Sequence, residues 1–361
     1  MPGPQPRACV SQIPAYVAGK PPRPRAGLTT YKLSSNENPY PPLPGVLEAA
    51  VRAAEQMNRY PDMGSTALCS ALSDKLAVPT EQLAVATGSV GLIYQLVQAY
   101  CEPGDEVVYA WRSFEAYPIA ITAAGARSVQ VPVGADGRHD LGAMAAAITD
   151  RTRIVLVCTP NNPTGPAVTQ TELDAFLARV PDRVLVVVDE AYVEFVRMAD
   201  PVDGLATVRS RANVVSTRTF SKAYGLAGFR VGYAVGPAVV AGALRAVSLP
   251  FGVSSVAQAA AVASLEAEEQ LLDRVTALVA ERERVVEGLA AAGVDVPDAQ
   301  GNFMWFATGD RTAEFAAAAD DLGIVVRPFA GEGARVSIGE PEANDRVLAL
   351  AHSFRSKTPL V

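Results

Sequence analysis

The chain has 361 residues, of which 49% are apolar and 19% charged, with a formal net charge of −7. At about 150 residues per domain this length fits two domains, and the apolar fraction is ample for a large core. The acidic balance, with no basic block, argues against a nucleic-acid partner; the scattered Cys9, Cys69, Cys101 and Cys158, with only His139 and His352 to join them, argue against a zinc site and for a reduced, cytoplasmic protein.

Residues 1–30 read as an extended N-terminal arm, because the Pro- and Arg-bearing opening has no apolar stretch of the kind a signal peptide needs. Short apolar, β-branched runs then alternate with Ala/Leu-rich helical spacing. Strands are predicted over 83–87, 106–110, 128–131, 154–158, 184–188, 214–217 and 231–235, with helices such as 91–101 and 170–179 between them. Continuous apolar strands with helical crossovers predict an α/β fold whose mostly parallel sheet is covered on both faces. Ligands of such sheets bind beyond the carboxyl ends of the strands. The longest uncharged stretch, 246–265, is broken by Pro250, Gly252, Ser254, Ser255 and Gln258, so it reads as a turn and a buried helix and not as a membrane span. A long helical stretch follows over 255–292, then strands over 301–307, 323–327 and 335–338 with helices over 311–322 and 342–354. This predicts a large domain over 59–252 and a smaller α/β domain built from 31–58 and 253–361.

The run from Ser216 to Arg230 carries the most chemistry. It places Lys222 just past an apolar strand, with the hydroxyls of Thr219 and Ser221 before it and the Arg230 guanidinium after it. An amine beside phosphate-binding groups is what pyridoxal 5'-phosphate requires: the lysine can form a Schiff base with its aldehyde, and hydroxyls and guanidinium can hold its phosphate. Taken alone, the same hydroxyls are ordinary helix caps. Other strand ends add to it. The strand over 184–188 runs into Asp189, a carboxylate that is costly to bury without a cation unless it caps a helix; a protonated pyridine nitrogen would supply that cation. Tyr192, three residues on, and Asn162, in the turn Asn161-Asn162-Pro163-Thr164-Gly165, can both donate to a phenolic oxygen. Gly88-Ser89 opens a helix whose free N–H groups suit a phosphate. Phe114 reads either as a stacking partner for a flat ring or as core. Arg335 reads either as a fork for a substrate carboxylate or as a solvated strand-edge arginine.

Together these residues resemble the fold-type I pyridoxal-phosphate aminotransferases, class II, and within them the histidinol-phosphate aminotransferase family. The resemblance rests on Ser35-Asn36-Glu37-Asn38-Pro39-Tyr40, Arg59-Tyr60-Pro61-Asp62, Asn161 to Gly165, Asp189-Glu190-Ala191-Tyr192, Thr219 to Gly228, Arg230-Val231-Gly232-Tyr233 and Arg335. It implies that Lys222 carries the cofactor and shuttles the proton, and that Asp189 pairs with the ring nitrogen. Asn162 and Tyr192 would bind the phenolic oxygen; Gly88, Ser89, Thr219, Ser221 and Arg230 the phosphate; Arg335 the α-carboxylate. Tyr60 would reach the phosphate of a neighbouring subunit and Tyr16 would close over the partner's site, so the family implies a homodimer with shared sites.

Leu33 to Asn38, Pro42-Leu43-Pro44 and Arg112 to Pro118 resemble the aromatic (phenylalanine) branch. Where many relatives have Pro-Thr before the stacking aromatic, this chain has Arg112-Ser113, a departure on the substrate side. The implied activity is transfer of the amino group between phenylalanine or tyrosine and a 2-oxo acid such as 2-oxoglutarate. Histidinol phosphate is the rival donor, with Arg327 as the anchor for its phosphate unless that arginine is solvated. Threonine-phosphate decarboxylation is a further outcome on the same cofactor. A cofactor-dependent transcription regulator is disfavoured, because the roughly fifty residues ahead of Tyr60 are too few for a helix-turn-helix domain and linker.

Overall fold

A computed structural model describes residues 3–356; residues 1–2 and 357–361, at the outer ends of the expected arm and small domain, lie outside the described residues. The strands in chain order are β1 (Tyr31–Lys32), β2 (Leu83–Ala86), β3 (Glu106–Trp111), β4 (Arg127–Pro132), β5 (Thr152–Cys158), β6 (Leu185–Asp189), β7 (Val214–Thr219) and β8 (Gly232–Val235), followed by β9 (Phe303–Phe306), β10 (Ile324–Val325), β11 (Arg327–Phe329) and β12 (Gly333–Ser337).

The runs of valine and isoleucine assemble into a seven-stranded sheet of order β2-β8-β7-β6-β5-β3-β4. The pairs β3/β4, β3/β5, β5/β6 and β6/β7 are parallel, as the apolar runs predict. Burial on both faces explains why those runs are continuous and not alternating. Val155, Val157, Val186 and Val188 point into one apolar cluster, whereas Ile154, Leu156, Leu185 and Val187 point into another. β8 runs antiparallel to both its neighbours, β7 and β2. The connection over 220–231 holds no α-helical crossover that could return the chain for a parallel pairing.

A three-stranded antiparallel sheet, β11-β12-β9, and the parallel pair β1/β10 form a second layer. β1 carries residues 31–32 onto strand residues 324–325, so the chain before the large sheet joins the chain after it. Helix Val46–Ala54 packs on helix Ser255–Glu266 in the same way. Ends of several elements shift by one to three residues, and two expected elements are each divided. The strand expected over 323–327 is two strands, because β10 pairs with β1 and β11 with β12. The helix expected over 255–292 is divided between Ser255–Glu266 and Glu268–Ala291 by Ala267, whose backbone sits at φ −94°, ψ 34°. The uncharged stretch resolves as a turn and a buried helix, and among the described residues no helix is long and apolar enough to cross a membrane.

Candidate active site

Lys222, Asp189, Asn162, Tyr192, Ser89, Thr219, Ser221, Arg230, Phe114, Arg335, Arg327 and Tyr16 all line one cavity of about 1030 Å³. It lies beyond the carboxyl ends of β5, β6 and β7, with β11 and β12 on its other side.

The phosphate end is built first by backbone. Gly88 begins helix Gly88–Tyr100 at φ +78°, and a Cβ there would collide with the Arg230 guanidinium. Arg230 holds the left-handed region (φ 53°) and donates through Nη1 to Ser221 Oγ at 3.0 Å, while Thr219 Oγ1 lies 3.0 Å from the same oxygen. A helix N-terminus, two hydroxyls and a guanidinium thus converge as an anion site.

Asp189 ends β6 and is 2% exposed. Tyr117 Oη donates to one carboxylate oxygen at 2.7 Å and Thr217 Oγ1 to the other at 3.2 Å. Burial outweighs these donors and pushes its pKa up to about 6, with Glu190 adding to the rise. Among the described residues no cation pairs with it. It caps no helix either, since the turn that follows starts at Val193 with no side-chain cap.

Lys222 Nζ donates to the Ser35 carbonyl at 3.1 Å. Burial, reinforced by the charge of Arg335, lowers its pKa to about 7, so much of it is a neutral amine near neutrality. Nζ lies 5.6 Å from the Tyr192 ring centroid. Tyr192 packs edge-on to Phe303, and its hydroxyl accepts from Asn36 Nδ2 at 3.0 Å. Burial raises the Tyr192 pKa, which keeps that hydroxyl protonated as a donor.

On the opposite wall Arg335, in the central strand β12, is buried and not solvated. Its Nη1 donates to Asn162 Oδ1 at 2.5 Å and its Nη2 to the Ser34 carbonyl at 2.8 Å, while its Nε is buried without a partner. Because Asn162 accepts with its oxygen, its Nδ2 is the group left to donate. Arg327 is not solvated either: it is 5% exposed and ion-pairs with Glu115. Phe114 is part-buried, lining the cavity while its ring meets Tyr117 edge-on.

The two tyrosines expected to serve a partner's site are placed differently from each other. Tyr60 is 83% exposed, stacks on Phe251 at 4.6 Å and does not line the cavity of its own chain. Tyr16, expected over a partner's site, lines its own chain's cavity, because the arm runs so close to residues 34–35 that a Cβ on Gly19 would lie 2.6 Å from both serine hydroxyls.

The buried carboxylate without a cation, the cradle that excludes a Cβ at Gly88, the amine with a depressed pKa and the orphaned Arg335 Nε together fit a phosphorylated pyridine aldehyde and a substrate carboxylate. Sequence reasoning missed Asn36, Tyr117 and Glu115. Asn36 is fully buried and tied to Ser337, Asn302 and Tyr192; its place in a polar run, Ser34 to Asn38, was the available signal. Among the described residues no group of three or more His, Cys, Asp and Glu could hold a metal.

The family model for aminotransferase class I and II matches residues 29–350. An aromatic amino acid aminotransferase of Streptomyces coelicolor is 57% identical, with 98% of each chain covered, and one of Streptomyces avermitilis is 58% identical over the same shares. Histidinol-phosphate aminotransferase from Sinorhizobium meliloti, solved with pyridoxal-5'-phosphate, superposes with a TM-score of 0.83 at 30% identity over 91% of each chain.

Proposed function

The chain belongs to the class I and II aminotransferases, and from that premise we propose that it moves the amino group of an aromatic L-amino acid, phenylalanine or tyrosine, to a 2-oxo acid such as 2-oxoglutarate, with pyridoxal 5'-phosphate as cofactor. When bound, that cofactor supplies an aldehyde to take up the amino group and a protonated pyridine ring to accept the electron pair left at Cα. The observation that carries the assignment is Asp189: a buried carboxylate facing the cavity with no cation among the described residues to balance it.

In this reading Asp189 holds the proton on the ring nitrogen. Lys222 Nζ, neutral near pH 7, is the amine that would hold the cofactor's aldehyde carbon, and once the donor's amine had displaced it, it would move the proton from the donor's Cα. Tyr192 Oη and Asn162 Nδ2 donate to the phenolic oxygen, and Asn36 fixes the Tyr192 hydroxyl. Gly88, Ser89, Thr219, Ser221 and Arg230 hold the phosphate, and Phe114 covers a face of the ring. Arg335 grips the α-carboxylate, with Tyr16 at the mouth. Tyr60, exposed and not among the residues that line its own cavity, serves the phosphate of a second copy in a homodimer. The four unpaired cysteines support a cytoplasmic setting.

The aromatic preference is supported by the names of the Streptomyces relatives and by Glu115, which neutralises Arg327. The test is a panel of amino donors with 2-oxoglutarate, comparing kcat/KM for phenylalanine, tyrosine, tryptophan and histidinol phosphate. Phenylalanine and tyrosine are expected to lead. A ratio favouring histidinol phosphate by about ten-fold or more, roughly 1.4 kcal/mol in transition-state binding, would move the donor assignment to that compound.

A further inference from the structure

Arg327 and Arg335 are direct register partners across the antiparallel pair β11/β12, and both line the cavity. They are not equally available. Arg335 keeps a buried Nε without a partner. Arg327 Nη2 lies 2.5 Å from Glu115 Oε2, with the two side chains 6% and 23% exposed. Glu115 reaches this pair from the opposite wall, at the residue before helix Ala116–Ala124. A second pair, Arg112 with Glu332, sits beside it, and the Phe329 ring is near both guanidinium groups, 5.4 Å from Arg112 and 5.2 Å from Arg327. Both guanidinium groups are therefore neutralised beside one aromatic ring, and of the two Arg327 lines the cavity.

We propose that Glu115 is a specificity-determining residue: by holding Arg327 it withholds that arginine from a second anionic group on the substrate. The inference rests on the transaminase reading of this cavity. A substrate with a distal carboxylate or phosphate has to displace the Glu115 carboxylate or lie beside its charge, and like charges in a desolvated site oppose binding strongly. An uncharged aromatic side chain meets no such competition and gains contact with Phe329. Glu115 acts through Arg327, so its effect falls on the binding of dianionic substrates and not on proton transfer at Cα.

The experiment compares wild-type holoenzyme with Glu115→Gln, which keeps the shape and a hydrogen-bond acceptor but removes the charge. Calorimetry with two inert substrate mimics, glutarate and 3-phenylpropionate, reads binding directly. Glutarate is expected to bind about ten-fold or more tightly to the variant, with 3-phenylpropionate changed by less than about three-fold. In turnover, KM for glutamate and 2-oxoglutarate should fall while kcat stays close to wild type. The double variant Glu115→Gln/Arg327→Gln should lose the gain, because the anchor itself is gone. Unchanged glutarate affinity in Glu115→Gln, or a gain that survives in the double variant, overturns the proposal. Should Glu115→Gln fail to fold, Glu115→Asp, which retracts the carboxylate, makes the same comparison with a smaller expected gain. Wild-type enzyme that prefers glutarate to 3-phenylpropionate would count against the aromatic reading, whereas the role of Glu115 is judged by the change on substitution.

Discussion

The hydroxyl of Tyr117 donates to the carboxylate of Asp189 across 2.7 Å, from a ring that is fully buried and stands outside the cavity lining. The bond favours the charged carboxylate, yet burial still lifts the Asp189 pKa from 3.8 to about 6. Without cofactor, the folded protein binds a proton at Asp189 more tightly than the unfolded chain does. Stability therefore falls as pH rises through that window, and the penalty is complete above it. Asp189→Asn is expected to stabilise the cofactor-free protein at neutral pH by up to about 3 kcal/mol, with the gain vanishing at pH values below the ordinary aspartate pKa. Denaturant titrations at the two pH extremes check this. In holoenzyme the same variant should keep cofactor binding and lose turnover, since an amide cannot hold a proton on the ring nitrogen. Near-normal kcat would mean that another group does so. Tyr117→Phe removes the donor, raises the Asp189 pKa further and should move the acid limb of the kcat/KM profile to higher pH.

Lys222 gives a second test. Its amine is held near a pKa of about 7 by burial and by the charge of Arg335. Only the neutral amine attacks a carbonyl, so the rate of cofactor capture by the apo-protein should rise through about pH 7 and level off above it. Borohydride should fix the cofactor on this residue, and peptide mapping that finds it on another lysine would refute the assignment. Lys222→Ala should lose at least roughly 100-fold in turnover, the lower end of what a positioned proton shuttle contributes.

Arg335 and Arg327 should separate by substrate. Truncating one partner of a buried, hydrogen-bonded charge pair costs roughly 2–5 kcal/mol, or about thirty-fold to several thousand-fold in kcat/KM. Arg335→Ala should impose a loss of that size on phenylalanine. Arg327→Ala should spare phenylalanine and damage any activity with histidinol phosphate. Equal losses with phenylalanine from both variants would show that Arg327 also holds the α-carboxylate.

Assembly is tested by mixing. Tyr60 has no place in its own chain's cavity, so a monomer should lack one phosphate ligand. Losing a hydrogen bond to a charged group costs about 1.5–3 kcal/mol, or roughly ten- to a hundred-fold in cofactor affinity. Tyr60→Phe subunits mixed with Lys222→Ala subunits form heterodimers in which one site carries both lesions and the other neither. Activity should rise on mixing. No rise, once subunit exchange is demonstrated by mass spectrometry of tagged chains, would mean that each site is built from one chain.

What was legible in the chain follows from range. Val184 to Val188 announces a strand buried on both faces because five consecutive apolar residues permit no solvent face. The reversed direction of β8 is not written in its residues; it follows from the short connection before it, and apolar pattern carries no direction. Ala267 ends a helix although alanine favours helices, so propensity gave no sign of the break. At the site, Lys222, Thr219, Ser221 and Arg230 were legible because they lie within one short run. Asn36 bonds to Tyr192 over 156 residues and Glu115 pairs with Arg327 over 212. No local pattern joins such partners, and both arginines of the small sheet read equally well as solvated until the opposite wall is in view.

The segment over 220–231, which carries both Lys222 and Arg230, is pinned at its two ends by the hydrogen-bonded strands β7 and β8. It is tied internally as well: Phe220 donates to the Val231 carbonyl at 3.1 Å, Leu226 to that of Phe220 at 2.9 Å, and Asn38 Nδ2 to that of Ala223 at 2.8 Å. Ordering a backbone residue costs about 1–2 kcal/mol in conformational entropy, and here that cost is incurred as the chain folds and not when a ligand arrives. The spacing between amine and phosphate cradle is thus set by the protein's own hydrogen bonds, so cofactor exchange can proceed without this part of the site being rebuilt at each cycle.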